Sequence, residues 1–374
     1  MDQTQDIDKI EFEDEDNDEA MPSPEIPKEI RKLRTQAYDK SVADLIRMIR
    51  EGDLLLDPDY QRNYVWDNKK ASLLMESILL NVPIPVIYVA EDEESRWSVV
   101  DGLQRLYSLS RFFSNEFRLT GLEVLSELEG LYFQKINPKA SRILNNGILR
   151  IIVILQESHP EIKYDIFQRL NQSSIKLTEQ ELRNSIYRGS FINMLKKLRT
   201  NKKFLDCIGF KAPQNRFLDA ELILRYFAIA DSFDSGTGKV KGYSSKMKTF
   251  LNAYIEKNRS ATNEEIKRFE IRFEDTVNKV HLVFGERAFR KVVDREGNKD
   301  ALLNRALMDV IMVSFDRFSL DNIRTKKDDI RSLYIDLPFR DKSFSDSISY
   351  RTSDNKELEY RLSTWLREMN NIMR

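Results

Sequence analysis

Trp97-Ser98-Val99-Val100-Asp101-Gly102-Leu103-Gln104-Arg105 reads as a strand that runs through a glycine straight into a helix. Trp97 to Val100 is aromatic and β-branched around one serine and follows the polar turn Glu91–Glu94, which predicts a strand. After Gly102, residues Leu106, Leu109, Phe112 and Phe113 recur at helical spacing and predict a helix with one apolar face. Such a junction leaves backbone N–H groups unpaired at the helix start, where they and the helix dipole favour an anion. Gly102 lets a phosphate approach the backbone, and Arg105 in the first turn can add a planar fork onto phosphate oxygens. Asp101 at the strand end can hold a divalent cation or orient water. The same residues also make an ordinary aspartate cap beside a surface arginine, and the stretch alone does not choose.

Working outward toward the N-terminus, Pro83-Ile84-Pro85 opens a strand from Val86 to Ala90 and stops a helix with Leu73, Leu74, Ile78 and Leu79 inward. That helix is expected to take Asp67 as its N-cap. Further back lie a short strand, Leu54 to Leu56, and a helix carrying Val42, Leu45, Ile46 and Ile49 on one face, opened by Ser41 and closed by Gly52. Toward the C-terminus, Leu149 to Leu155 is apolar and largely β-branched apart from Arg150, which predicts a central strand buried on both faces. Beyond Pro160 the pattern is helical throughout. Capped starts are expected at Thr178, Thr262 and Ser353, and the loop Ser232–Gly238 is the clearest break. The fold class is therefore α+β: a mixed front domain followed by a mostly helical one.

A chain of 374 residues suggests two or three domains, and 41% hydrophobic content suffices for a sizeable core. No apolar run approaches the ~20 residues that span a bilayer, and the acidic N-terminus lacks the apolar segment of a secretory leader. The expectation is a cytoplasmic protein without a membrane partner. Cys207, the single cysteine, excludes an internal disulfide and a cysteine-rich metal site. Residues 1–20 carry ten acidic side chains against Lys9 alone, a net of −9, so the rest of the chain carries +8 under an overall −1. We read residues 1–28 as an acidic disordered tail, 29–200 as the mixed domain and 201–374 as the helical domain.

Two further segments are candidates for chemistry. Tyr60-Gln61-Arg62-Asn63-Tyr64-Val65-Trp66 alternates aromatics with Gln and Arg in a loop, and such residues either anchor the loop to the domain or line a pocket where a base stacks. In Phe167-Gln168-Arg169-Leu170-Asn171 and Gln180-Glu181-Leu182-Arg183-Asn184, the apolar residues read as core and Glu181 completes a capping box with Thr178. Asn171, Arg183 and Asn184 are left over and are expected to face one cleft.

Together the motifs resemble the N-terminal domain of GmrSD-type modification-dependent restriction systems, a ParB/sulfiredoxin-like fold. The matching segments are Gln61-Arg62-Asn63-Tyr64-Val65-Trp66, Pro83-Ile84-Pro85, Asp101-Gly102-Leu103-Gln104-Arg105, Phe167-Gln168-Arg169-Leu170-Asn171 and Gln180-Glu181-Leu182-Arg183-Asn184, in that order. The resemblance implies binding of a nucleoside triphosphate with Mg2+ at the Asp-Gly turn, and hydrolysis coupled to a nuclease that acts on invading DNA. Asp101, Gln104 and Arg105 would be catalytic, with Asp101 on the metal. Gln61, Arg62, Tyr64, Trp66, Gly102, Asn171, Arg183 and Asn184 would bind the nucleotide.

Two departures bear on function. Leu103 stands where the family pattern has glutamine and can neither donate nor accept a hydrogen bond, which separates binding from turnover. A His-Asn-His nuclease needs histidines, and only His159, before Pro160, and His281, expected in mid-helix, are present. Cleavage is then expected from a separate nuclease subunit. Lys196, Lys197, Arg199, Lys202 and Lys203 form a basic cluster that is either a DNA contact or a solvated helix face. The sequence thus supports a nucleotide-binding restriction or defence component. Its alternatives are a non-catalytic nucleotide sensor and a scaffold that binds DNA or a partner.

Overall fold

The structure, a computed structural model, describes residues 33–56, 64–92, 94–170, 178–214 and 216–374. The chain separates between Ile186 and Tyr187 into two compact units.

In the first unit, strand β1 (Thr35–Ser41) leads into helix α1 (Val42–Glu51). The Ser41 hydroxyl accepts from the Asp44 amide, and Gly52 ends the helix at φ +83, a left-handed conformation that glycine adopts without steric cost. Strand β2 (Leu54–Leu55) follows, and α2 (Asn68–Leu79) starts where the Asp67 carboxylate accepts from the Lys70 amide. Strands β3 (Ile87–Glu91) and β4 (Trp97–Asp101) form a hairpin, and α3 (Leu103–Phe113) leaves β4 through Gly102. Helix α4 (Pro138–Asn146), strand β5 (Ile148–Ile154), α5 (Pro160–Leu170) and α6 (Glu179–Ile186) complete the unit.

The five strands order as β1-β5-β3-β4-β2. Pairings β1/β5 and β3/β4 are antiparallel, while β5/β3 and β4/β2 are parallel. One face buries Ile87, Val89, Val99, Leu149, Ile151 and Val153 in a single core with Val42, Leu45, Leu74, Met75, Leu106, Leu109 and Phe112 from the helices. Alternate residues Ala90 and Val100 are buried on the opposite face, and α6 packs against β4.

Three expectations change. Strand β1 was not foreseen, because Thr-Gln-Ala-Tyr-Asp-Lys-Ser has no apolar alternation; it is mostly exposed and is held by its ladder with β5, Ser41 opposite Ile148 through Thr35 opposite Ile154. Strand β5 is internal but β3 holds the centre, and the first half of β5 has one exposed face. There Arg150 makes two bonds to Asp39 on β1, at 2.8 and 2.7 Å. In the second unit the loop Ser232–Gly238 opens a small antiparallel hairpin, Phe233–Asp234 against Lys239–Val240, turned by amides of Gly236 and Thr237 on the Asp234 carboxylate.

The second unit is otherwise helical. Helix Leu218–Ser232 is almost wholly buried, and its Phe227 meets Phe191, Phe269 and Phe273 edge-on or tilted, with Tyr254 edge-on to Phe191. Thr262 opens the 22-residue helix Asn263–Phe284 with a complete capping box. His281 lies in the last turn of that helix rather than its middle. The cap expected at Ser353 is moved one residue, to Asp354, since the Ser353 carbonyl is taken by the Tyr243 hydroxyl at 2.5 Å. No helix among the described residues is long and apolar enough to cross a membrane.

Candidate functional site

The register of β4 on β3 shifts just before the turn: Val89 faces Val99, yet Tyr88 faces Asp101, so Val100 is the extra residue. A bulge of this kind re-aims the side chains beside it, here Asp101. Gly102 then takes φ +97, and α3 begins with no side-chain cap and no acidic residue in its first turn. Its opening amides are donors that the helix itself cannot satisfy. A β-carbon at Gly102 would lie 2.8 Å from Ile87 Cγ1 and 3.2 Å from Arg105 Nη2. Gly102→Ala is therefore expected to destabilise the domain by about 1–2 kcal/mol, from the left-handed backbone and the contact together. Urea titration measures it, and a midpoint equal to wild type would show that the turn relaxes at no cost.

Arg105 folds back along the turn. Its Nη2 donates to Asp101 Oδ2 at 2.9 Å and to the Val86 carbonyl at 3.4 Å, and its Nη1 donates to the Pro85 carbonyl. The side chain is 11% exposed against 25% for Asp101. Burial lowers the Arg105 pKa from its ordinary value while the Asp101 carboxylate opposes that shift, and the guanidinium remains a fixed cation. It thus ties the start of β3 to the first turn of α3 and holds one Asp101 oxygen, leaving Oδ1 without a partner among the described residues.

One stripe of α3 secures the loop before α2. Gln104, Tyr107, Ser108 and Arg111 stand at the spacing that shares a helix face. Gln104 Oε1 accepts from the amides of Val65 at 3.1 Å and Trp66 at 3.4 Å. The Tyr64 hydroxyl is 2.9 Å from Ser108 Oγ, its ring lies 4.9 Å from Tyr107, and Arg111 sits 5.0 Å over it. Trp66 packs half-buried against the core, with the Lys70 ammonium 4.8 Å from its ring. Of the two sequence readings of Tyr64 and Trp66, the geometry is that of anchors. Leu103 also packs against the core, which accounts physically for an apolar side chain at that place.

Helix α6 is unusual in burying polar residues on nearly every side: Gln180, Glu181, Arg183, Asn184 and Ser185. Arg183 donates to Glu179 at 2.9 Å and to Gln180 at 3.4 Å, and Gln180 Nε2 donates to Asn184 Oδ1 at 3.1 Å. Asn184 Nδ2 is buried and makes no hydrogen bond among the described residues. The structure therefore gathers Asp101, Gly102, Gln104, Arg105, Tyr64 and Trp66 around the start of α3, and packs the helix of Arg183 and Asn184 against β4. Gln61, Arg62 and Asn171 lie outside the described residues. Sequence reasoning missed Tyr107 and Ser108, although their spacing from Gln104 and Arg111 was there to find.

The basic cluster belongs to the second unit. Lys197 pairs with Glu270 at 2.8 Å, Lys203 donates to Asn278 at 2.6 Å, Lys196 is 5.8 Å over the Phe217 ring, and Lys202 is exposed. Arg199 is buried, 2.9 Å from Asp219 and 4.1 Å over Phe217. The five cations are thus not one continuous solvated face. Among the described residues no three His, Cys, Asp or Glu side chains gather as a metal site.

Residues 42–188 match the family model described as GmrSD restriction endonuclease, N-terminal domain. No curated protein and no solved structure matches the chain.

Proposed function

We propose, from the premise that residues 42–188 are a domain of the GmrSD restriction endonuclease N-terminal family, that this protein is a restriction-system component that binds a nucleoside triphosphate at the Asp101–Gly102 turn. One observation carries the reading: α3 opens behind a glycine at φ +97 that itself offers no side-chain cap, with the Asp101–Arg105 pair at its mouth. Phosphate oxygens would accept from those amides, where the helix dipole favours negative charge. Arg105 would act from a fixed position, steadying Asp101 and adding a buried positive charge. Mg2+ arriving with the triphosphate would find Asp101 Oδ1, since this ion often takes one or two protein carboxylates and keeps water and phosphate as its other ligands. It would neutralise phosphate charge. Asn184, whose amide nitrogen is buried with no hydrogen bond among the described residues, would add to the polar surroundings through α6, which packs against β4. The ParB/sulfiredoxin-like reading of the sheet belongs to the same proposal, as do a separate nuclease subunit and DNA contact through Lys196, Lys197, Lys202 and Lys203.

Within this reading, Leu103 packed on the core favours a sensor that binds without rapid turnover. Triphosphate binding and phosphate release are to be measured for wild type, Asp101→Ala and Arg105→Ala, with and without DNA. Either substitution is expected to weaken binding about tenfold or more, the scale of a lost charge-assisted hydrogen bond. An unaltered affinity in both variants, or no binding by wild type, would sink the proposal. Leu103→Gln is expected to raise phosphate release, and an unchanged rate would end the account of that position.

A further inference from the structure

A cleft of about 450 Å3 opens at the opposite end of α3 from Gly102, bounded by α1, by Phe113 and Phe133 and by Asn145 at the end of α4. Eleven helical residues separate the two ends, roughly 16 Å along the axis, so the cleft is no part of the Asp101 turn. Its volume lies within the roughly 300–1,000 Å3 range of small-ligand sites. Ile46 and Phe113 are buried in its wall, and Phe133 stacks on Phe113 with ring centroids 4.2 Å apart at 26°. Phe133 is itself only half-buried, and both rings of the pair line the cleft.

The rest of the lining is polar and unequal. On α1, Arg47 is engaged by Glu51 one turn on, whereas Arg50 takes no partner among the described residues. Asn145 spends Nδ2 on the Ser141 carbonyl at 2.7 Å, and its Oδ1 accepts nothing among the described residues. The cleft therefore presents a stacking surface, an uncommitted guanidinium and an open amide carbonyl side by side. A purely apolar ligand would use only the first, and inorganic phosphate only the second. A nucleotide unit uses all three: its base can stack on an aromatic ring, its phosphate pairs with arginine and an exocyclic amine donates to a carbonyl.

We infer that this cleft is a second nucleotide-binding site, taking one base against Phe133 with its phosphate on Arg50 and its amine on Asn145. The unit is either a free mononucleotide or one residue of a single strand, and the two arms of the test separate these sources. Full-length protein is titrated with a labelled oligo-dA of roughly ten nucleotides, within the usual span of such sites, and separately with AMP. Phe133→Leu, which keeps the apolar packing but removes the flat ring, and Arg50→Glu, at an exposed position, are each expected to weaken the bound probe about tenfold. Tight AMP binding with these losses assigns a free nucleotide, and strand binding that AMP does not displace assigns a strand. Neither probe binding, both variants binding like wild type, or binding that falls with Arg105→Ala but not with these two overturns the inference. The last outcome would move the nucleotide to the Asp101 turn, whereas failure of triphosphate binding there leaves this cleft untouched.

Discussion

Asp309→Ala is expected to destabilise the helical unit by about 3–5 kcal/mol, the cost of removing one partner from a buried ion pair. Asp309 Oδ1 lies 2.8 Å from Arg225 Nε and its Oδ2 2.9 Å from Arg225 Nη2, a bidentate pairing, and Arg361 Nη2 adds a longer bond to Oδ2 at 3.4 Å. All three residues are buried, on helices Leu218–Ser232, Arg305–Phe315 and Asn355–Met373. Burial pulls the Arg361 pKa down from its ordinary value while the Asp309 carboxylate opposes it, so the two cations share one anion. Without that anion, two guanidinium charges stay buried with no carboxylate between them, although Arg361 still donates to the Ser347 carbonyl at 3.1 Å. Urea unfolding followed by helical circular dichroism measures the loss. Arg225→Met, Asp309→Leu and Arg361→Met combined should recover most of it, because apolar groups of similar volume replace the whole set. A single-variant loss no greater than the roughly 1 kcal/mol of an average substitution would mean that the network is not a structural necessity.

Glu76→Ala is expected to cost about 3 kcal/mol and to loosen the segment after α3, since it removes the carboxylate that three of its amides share. Glu76 is buried on α2, and its Oε1 accepts from the amides of Val124 and Leu125 at 2.8 Å each and from Glu123 at 3.1 Å, while Oε2 also reaches Glu123 at 3.1 Å. One turn earlier Ser72 Oγ accepts from the Thr120 amide at 2.9 Å, so α2 holds this segment by two side chains. Burial pushes the Glu76 pKa up, but the amides of Leu125, Val124 and Glu123 outweigh it and leave the value below the ordinary 4.5. A carboxyl depressed in the folded state contributes its stability above the unfolded value, and that contribution disappears as pH falls through the folded value. The wild type should therefore lose this increment below about pH 4.5, and Glu76→Gln, which cannot ionise, should show a shallower acid branch. Parallel acid branches in the two proteins would place the pH dependence elsewhere.

The two clamps were differently legible. Nothing in Asn68-Lys69-Lys70-Ala71-Ser72-Leu73-Leu74-Met75-Glu76 marks Glu76 as buried rather than solvated, because its partners are backbone groups some 47 positions away. The same holds for Asp309, whose partners stand 84 and 52 positions off. By contrast the Ser41 and Asp67 caps, the Gly52 stop and the capping boxes at Thr178 and Thr262 were all readable, since each depends on side chains within three or four residues of the backbone they satisfy. At the candidate site the division is sharper still. The Asp-Gly turn into α3 was visible in nine consecutive residues, but the direction of Arg105 was not, because the carbonyls it meets belong to Pro85 and Val86, just before β3 and some 20 positions back in the chain.

The chain's own order of residues determined where helices begin and end, which faces of them are apolar, and that a strand passes through Gly102 into α3. The three-dimensional arrangement alone decided that Thr35–Ser41 becomes an edge strand, that Tyr64 and Trp66 serve as anchors, and which buried charges meet. The reason is range: capping and helical periodicity are satisfied within a few residues, whereas ladders, clamps and buried ion pairs take their energy from groups that only folding brings within bonding distance.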